Sequence, residues 1–285
     1  MFGGEFSNPN GEKFRHFNDL WRYDLGTNEW EEQTAPQRMG RPSPRSGHRM
    51  AVWRNRYIVL FGGFYDTYSQ TNYFNDVWVW DIIESMWQEL TFLARSYMPA
   101  PRSGCQLLMD VDNSAYVVGG YTKTQKSSGF VAGGKKGRRT YEEEDVDPSE
   151  GVTHGDVWRL ELSMISDGAD GSTERINPNA KWERLKQKGR VPDARCSFAM
   201  PVYVLKRRAI MFGGVMDGVG WDSGSVFLND LHSFDMAQQQ WFGMKMKWKK
   251  DVEQIAIPPR FGAQCAIVGH LLFMYAVVSV GPCIV

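Results

Sequence analysis

Apolar positions in this chain gather into short runs dense in valine, isoleucine, leucine and aromatic residues, and glycine, proline, aspartate or asparagine closes each run. The stretch from Pro44 to Leu90 shows the pattern in full: Arg49 to Trp53, Arg56 to Phe61 closed by Gly62-Gly63, Asn75 to Asp81, and Met86 to Leu90. Runs of this length and composition predict strands. Four in succession predict one antiparallel sheet, with strands a, b, c and d in chain order.

The four phrases recur. Strand b ends in a glycine pair at Gly3-Gly4, Gly62-Gly63, Gly119-Gly120 and Gly213-Gly214, and strand c opens on Asp19, Asp76, Asp156 and Asp230. Strand d carries Trp30, Trp87, Trp182 and Trp241, and an arginine starts strand a at Arg45, Arg102, Arg195 and Arg260. The glycine pairs lie about 60 residues apart in the first two steps and about 90 in the third, so the third unit holds an insertion. A four-stranded repeat of this size predicts an all-β propeller. Residues 1–275 divide into an incomplete blade over 1–35, blades 44–91, 101–187 and 192–244, and an incomplete blade over 258–275, with 276–285 as an atypical tail. The first incomplete blade holds strands c and d and the last holds a and b, so the propeller is partial. Its ends either join into one composite blade or belong to the inner portion of a larger ring.

The glycine pair, the aspartate-aromatic step and the spaced tryptophan resemble the kelch repeat, over nearly the whole chain to about Tyr275. Phe2-Gly3-Gly4-Glu5-Phe6 with Pro9-Asn10-Gly11-Glu12, Arg45 to Met50, and Arg102 to Gln106 are most similar to the group called kelch domain-containing protein 4. The resemblance implies a kelch-type β-propeller and favours an inner portion of a ring of about six or seven blades. Kelch proteins include substrate receptors of ubiquitin ligases, which implies a recognition or adaptor role. No BTB domain or cullin-binding box is visible in these residues. Other kelch-like propellers are copper oxidases of sugars or specifiers of small-molecule breakdown, which implies an enzyme as the alternative.

Each recurring residue has a predicted scaffold role. The second glycine of a pair takes φ > 0 and lets the chain leave the sheet. The aspartate accepts hydrogen bonds from loop backbone. The strand d tryptophan fills the space between neighbouring blades.

With 33 basic and 33 acidic residues the chain is formally neutral, which argues against a general nucleic-acid or acidic-membrane binder. Cys105, Cys196, Cys265 and Cys283 show no C-x-x-C spacing and read as structural thiols. No basic-then-apolar leader precedes Phe2, and the expected setting is cytoplasmic, with the nucleus as a second option. Cys265 to Val285 is nearly all apolar, yet Gly269, His270, Gly281 and Pro282 interrupt it, and the repeat register accounts for its first half better than a membrane span does.

Loops carry the variable chemistry. Thr122 to Thr153 sets Lys135-Lys136-Gly137-Arg138-Arg139 beside Glu142 to Asp145 with few apolar residues, and it is expected to be a disordered insert. Gly129 and Gly134-Lys135 echo a phosphate-binding loop, but Lys136 stands where Ser or Thr is required. Ser163 to Ala180 reads as a hairpin extension, and the basic stretch Lys245 to Asp251 as a solvated connection.

Recognition is expected at the rim, from Arg45, Ser46, Tyr65, Tyr68, Arg102, Ser103, Tyr121, Arg195, Met216, Trp221 and Arg260, acting on a protein or peptide partner. The arginines admit two readings: forks for a partner's carboxylates, or bridges between adjacent blades. Histidines 16, 48, 154, 232 and 270 fall at unrelated repeat positions, so no metal, cofactor or catalytic residue is assigned.

Overall fold

The computed structural model describes residues 1–7, 14–36, 40–67, 71–92, 97–124, 150–167, 173–216, 224–245 and 257–275. Tyr68, Trp221, Lys135 to Asp145, most of Lys245 to Asp251 and the tail 276–285 lie outside them. Among the described residues the chain is all strand and turn, apart from a 3-10 turn at Val204–Lys206. Blade 2 pairs Arg49–Trp53, Tyr57–Phe61, Val77–Asp81 and Met86–Glu89 antiparallel in chain order. Blade 3 does the same with Gln106–Met109, Ser114–Val118, Val157–Glu161 and Asn179–Arg184. Blade 4 follows with Val202–Tyr203, Arg208–Phe212, Leu231–Asp235 and Gln240–Gly243. Blade 1 is Phe2–Ser7, Phe14–Asp24 and Glu29–Glu32, and blade 5 is the hairpin Gln264–Val268 and Leu271–Tyr275.

Both faces of the inner sheets are buried, which is why Val77-Trp78-Val79-Trp80 reads as a continuous apolar run instead of alternating with polar residues. The two faces serve different neighbours. Tyr57, Val59 and Phe61 pack towards blade 3, where they meet Leu107, Val117, Leu160 and Trp182. Leu60, Trp78, Trp80 and Trp87 point the other way, onto Phe2 and Leu20 of blade 1. The strand d tryptophan therefore lies against strand b of the preceding blade, Phe2 to Trp87 at 5.3 Å and Phe61 to Trp182 at 5.6 Å between ring centres. Trp87, Trp182 and Trp241 are buried in this way, and truncating any of them would cost about 3–5 kcal/mol. Trp30 departs from the predicted role: it sits on the outer face of blade 1 and is 56 % exposed.

Backbone bonds tie the blades near the axis and at the periphery. Gly47, Gly104, Ser197 and Gly262 occupy one repeat position, all at φ between 53 and 66°, and form a relay. The N–H of Gly104 donates to the Gly47 carbonyl at 3.1 Å, Ser197 to Gly104 at 2.8 Å, and Gly262 to Ser197 at 2.7 Å. At the outside, Thr91–Phe92 leaves blade 2 and pairs parallel with strand d of blade 3, and Lys188–Gly189 does the same from blade 3 to blade 4.

The b-to-c connections differ from the loops expected of them. Each continues past the glycine pair as a second short ladder: Glu5–Ser7 with Phe14–His16, Phe64–Asp66 with Thr71–Tyr73, Tyr121–Thr124 with Glu150–Thr153, and Val215–Met216 with Val226–Phe227. The insert read as disordered from residue 122 to 153 thus has an ordered stem, because the twist of strands b and c carries on beyond the glycine bend. Met164–Asp167 and Thr173–Ile176 form a hairpin within the 163–180 stretch, and Gln88 Nε2 donates to the Ile176 carbonyl at 3.4 Å.

Candidate functional site

The four repeat arginines start strand a, beside the rim, and the geometry separates three of them from recognition. Arg45 and Arg102 are 0 % exposed and Arg195 is 1 % exposed. Arg45 Nη1 donates to Asp76 Oδ1 at 2.6 Å and to the Gly62 carbonyl at 3.0 Å, and Nη2 reaches Asp76 Oδ2 at 2.8 Å. Ser43 receives the remaining donors, through its carbonyl and its hydroxyl. Arg102 forks onto Asp156 and Gly119, and Arg195 onto Asp230 and Gly213, in the same way. Their backbones clamp the preceding blade: Gly4 donates to the Arg45 carbonyl at 2.9 Å, Gly63 to Arg102 at 2.9 Å and Gly120 to Arg195 at 3.0 Å. The expectation that these arginines meet a partner's carboxylate is therefore corrected. A guanidinium is buried here because the aspartate of its own blade neutralises it and each of its nitrogens donates to an acceptor. Arg260 keeps the backbone clamp to Gly214 at 2.8 Å, but its guanidinium is partly exposed and donates Nε to the Pro258 carbonyl.

The strand c aspartate holds side chains where loop backbone was expected. Beside the arginine fork of Asp76, Asp156 and Asp230, it accepts a ring N–H from two residues on: Trp21 to Asp19 at 2.7 Å, Trp78 to Asp76 at 2.8 Å and Trp158 to Asp156 at 2.7 Å, with His232 Nε2 2.8 Å from Asp230. Burial alone would raise the Asp230 carboxyl, but the Arg195 guanidinium overrides it and holds the group down at about 2. Asp156 is likewise held below the usual carboxylate range by Arg102, against its burial.

The rim hairpins present a second set of repeated side chains. Their first cross-strand pairs occupy matching positions: Glu5 with His16, Phe64 with Tyr73, Tyr121 with Thr153, Val215 with Phe227. Ser46, Ser103 and Cys196, each just after its arginine, bridge to Phe64, Tyr121 and Val215. The rings form a ribbon that crosses from blade to blade, His16 to Phe64 at 5.6 Å, Phe64 to Tyr73 at 6.0 Å and Tyr73 to Tyr121 at 6.4 Å. Tyr65 stacks obliquely on His16 at 5.0 Å, and Phe227 meets Phe261 of blade 5 at 5.4 Å. Phe64, Tyr65, Tyr73, Tyr121, Met216, Phe227 and Phe261 are all half-buried, with some of each side chain on the surface. Of the residues singled out from sequence, Tyr65, Tyr121 and Met216 lie on this rim. Ser103 lies beside it, and Ser46 is buried beneath it. His16, Phe227 and Phe261 belong to the rim without having been singled out. Their signal was positional, three residues before the strand c aspartate for His16 and Phe227, and one after the arginine for Phe261.

His16 and Ser46 have the outward form of a base and nucleophile, Nδ1 lying 3.0 Å from Oγ. His16 Nε2, however, accepts the Asp66 backbone N–H at 3.0 Å, so the neutral ring carries its proton on Nδ1 and donates to the serine. That pair positions two hairpins; it does not activate a hydroxyl. Burial pushes the Cys105 thiol up and Cys265 to about 11, which removes thiolate chemistry. Among the described residues no cluster of three or more His, Cys, Asp or Glu side chains is placed to hold a metal. None of their helices is long and apolar enough to cross a membrane.

Two half-buried histidines are expected to make the structure acid-sensitive. His48, on strand a against Phe2, is pushed down to about 4 by burial and then by the charges of Arg45, Arg49 and the N-terminus. His154 falls to about 4 through burial and the Arg102 charge, which Asp156 partly opposes. A depressed histidine contributes stability that is complete above its unfolded value of 6.5 and is lost as pH falls from 6.5 towards 4. The expected loss through His48 is about 2–3 kcal/mol. Urea unfolding at stepped pH checks this: His48→Phe should flatten the slope between pH 6.5 and 4, and an unchanged slope would exclude His48 as its source.

Four-stranded sheets stacked through glycine-pair bends, arginine-aspartate joints and strand d tryptophans define a kelch β-propeller. The chain belongs to the KLHDC2/KLHL20/DRC7 Kelch-repeats domain family, whose model matches residues 1–146. It is 34 % identical over 120 residues, 42 % of the chain, to acyl-CoA-binding domain-containing protein 5 of Arabidopsis thaliana. It is 25 % identical over 206 residues, 69 % of the chain, to an F-box/kelch-repeat protein of the same plant. A leucine-zipper-like transcriptional regulator 1 homolog of Drosophila melanogaster is 24 % identical over 244 residues, 85 % of the chain. The matches span 16 %, 36 % and 19 % of those relatives' own lengths. Among solved structures, that of YjhT superposes with a TM-score of 0.61 at 13 % identity, covering 96 % of this chain and 72 % of that one, a likeness of fold.

Proposed function

We propose that this chain is a non-catalytic protein-interaction module, binding an extended segment of a partner protein across the aromatic ribbon of its rim hairpins, as a recognition or adaptor subunit. One observation carries the reading: the buried arginines, aspartates and glycines of the repeat build the joints between strands and blades, while half-exposed aromatic rings crowd the hairpins at the rim. Aromatic side chains on a rigid frame bury large area at low cost in side-chain freedom, which suits them to protein contacts. Kelch-repeat proteins as a class mediate such contacts. The phrases around Gly3, Arg45 and Arg102 support a likeness to the kelch domain-containing protein 4 group, and single thiols on or beside strand a of separate blades are in keeping with a cytoplasmic or nuclear setting.

Affinity capture from a lysate with the whole chain, followed by direct binding of the purified partner, tests this. Tyr65→Ala with Tyr121→Ala should weaken that binding by at least about tenfold while thermal unfolding stays near the parent's. Ile83→Ala, at the exposed c-to-d turn on the opposite end of the sheets, should bind as the parent does. Full retention by the tyrosine variant would refute the rim as the binding surface.

A further inference from the structure

The end of strand d in blade 3, and the connection that carries the chain from it to blade 4, hold a run of positive charge. Four cations fall at alternate positions, Arg184, Lys186, Lys188 and Arg190, and all four are exposed. The residues between them turn inward and fasten the segment. Leu185 is buried, and its N–H donates to the Val157 carbonyl at 2.9 Å. Gln187 donates Nε2 to the Gly155 carbonyl at 2.8 Å and accepts the Trp241 indole N–H at 2.8 Å. Gly189 sits at φ +79°, where a Cβ would collide with the Trp241 carbonyl oxygen, and that oxygen accepts the Arg190 N–H at 3.0 Å. Lys188–Gly189 is also the outermost strand of the blade 4 sheet. The backbone is thus tied to two blades while the even-numbered side chains stand outside it.

These cations take no part in the ion pairs of the fold. Arg45, Arg56, Arg102, Arg195 and Arg207 each hold a carboxylate at 2.5–2.6 Å. Among the described residues no acidic side chain pairs with Arg184, Lys186, Lys188 or Arg190; Arg184 lies over the Trp158 ring at 6.0 Å. A strand sets alternate side chains about 7 Å apart, so the row spans about 20 Å. Like charges at that spacing lie within a screening length of about 8 Å and repel, and a ligand of matching negative charge relieves the repulsion. An extended peptide repeats with the same two-residue period, so carboxylates at its alternate positions meet the cations one for one. A nucleic acid fits less well. Binding of single strands combines cations with aromatic faces for the bases, and the rings beside this row, Trp158, Trp182 and Trp241, are buried.

We propose that Arg184, Lys186, Lys188 and Arg190 form a docking ladder for an extended segment of a partner protein that carries Asp or Glu at alternate positions. Because the odd-numbered residues already fix the backbone, binding orders only the four side chains on this side of the contact. The ladder lies where blade 3 hands over to blade 4, uses none of the rings of the rim ribbon, and stands independently of that reading.

Fluorescence anisotropy of a labelled peptide of alternating glutamate and threonine, titrated with the purified chain at about 50 mM salt, tests it. The parent chain should bind this peptide, and Lys186→Glu with Lys188→Glu should weaken binding by at least about tenfold. Lys123→Glu with Lys206→Glu changes the net charge equally at exposed lysines elsewhere, and should bind within about twofold of the parent. All four lysines face solvent, so both variants should keep the parent's circular dichroism and melting curve. A peptide of the same composition with its glutamates in one block should bind at least about fivefold more weakly, because only every second carboxylate of the block can face the ladder. The Tyr65→Ala with Tyr121→Ala chain should bind the alternating peptide as the parent does, which separates this surface from the rim. No binding by the parent, equal losses in the two lysine variants, or equal affinity for the block peptide would overturn the proposal. Tighter binding of an oligouridine of equal charge would do so too, by making the ladder a nucleic-acid surface.

Discussion

Arg102→Ala is expected to destabilise the protein by about 3–5 kcal/mol in urea unfolding, because it leaves a buried carboxylate without its counter-charge. Asp156 would keep only the Trp158 indole N–H at 2.7 Å, having lost both guanidinium contacts, and the Gly119 carbonyl would lose its donor. Two further variants isolate the cause. Asp156→Ala added to Arg102→Ala should cost less than the two single losses together, since it removes the charge the first change orphaned. Arg260→Ala takes away the same side chain from the same repeat position, but one that is partly exposed and whose guanidinium, among the described residues, binds only the Pro258 carbonyl, so its cost should stay within about 1 kcal/mol. A loss at Arg102 as small as that at Arg260 would show that the side-chain fork contributes little and that this position joins the blades through its backbone carbonyl, which alanine retains.

The contrast between those two arginines also marks how far the sequence could be read. Recurrence made the blades legible: a glycine pair, an aspartate, a tryptophan and an arginine at matched places call for one sheet repeated, and the all-β propeller follows. Recurrence could not say whether Arg45, Arg102 and Arg195 point to solvent or into the sheet, because the two readings demand the same residue at the same spacing. The acceptors decide between them, and Gly62, Gly119 and Gly213 offer theirs as backbone carbonyls, which leave no trace in residue type. The rim was half legible for a related reason. Tyr65 and Tyr121 announce themselves by type, whereas His16 joins the ribbon only because a hairpin ladder places it beside Phe64 and Tyr65 of the next blade. Trp30 shows the converse limit: it obeys the repeat in sequence yet is exposed, since its role needs a neighbouring blade and none of the described residues packs on that face.

Glycine at the first position of each pair is required by distance as well as by dihedral angle, which makes Gly119→Ala the second change with a large expected effect. Gly119 sits at φ +62°, and a Cβ there would stand 2.6 Å from the Arg195 carbonyl oxygen and 2.9 Å from Cε1 of Phe198. Arg195 cannot retreat freely, since its carbonyl accepts the Gly120 N–H at 3.0 Å and its guanidinium is forked onto Asp230. Relief of the clash would therefore open the joint between blades 3 and 4. Gly262 provides the control: it has φ +66°, and nothing lies within 4 Å of the position its Cβ would take. Gly262→Ala should cost about 1 kcal/mol, the conformational penalty alone, and Gly119→Ala about 3–5 kcal/mol once overpacking against a fixed carbonyl is added. Urea midpoints of the two variants measured side by side separate the terms. If they coincide, the close approach of blade 4 to Gly119 contributes nothing, and the glycine pair serves the bend of its own chain and not the spacing between blades.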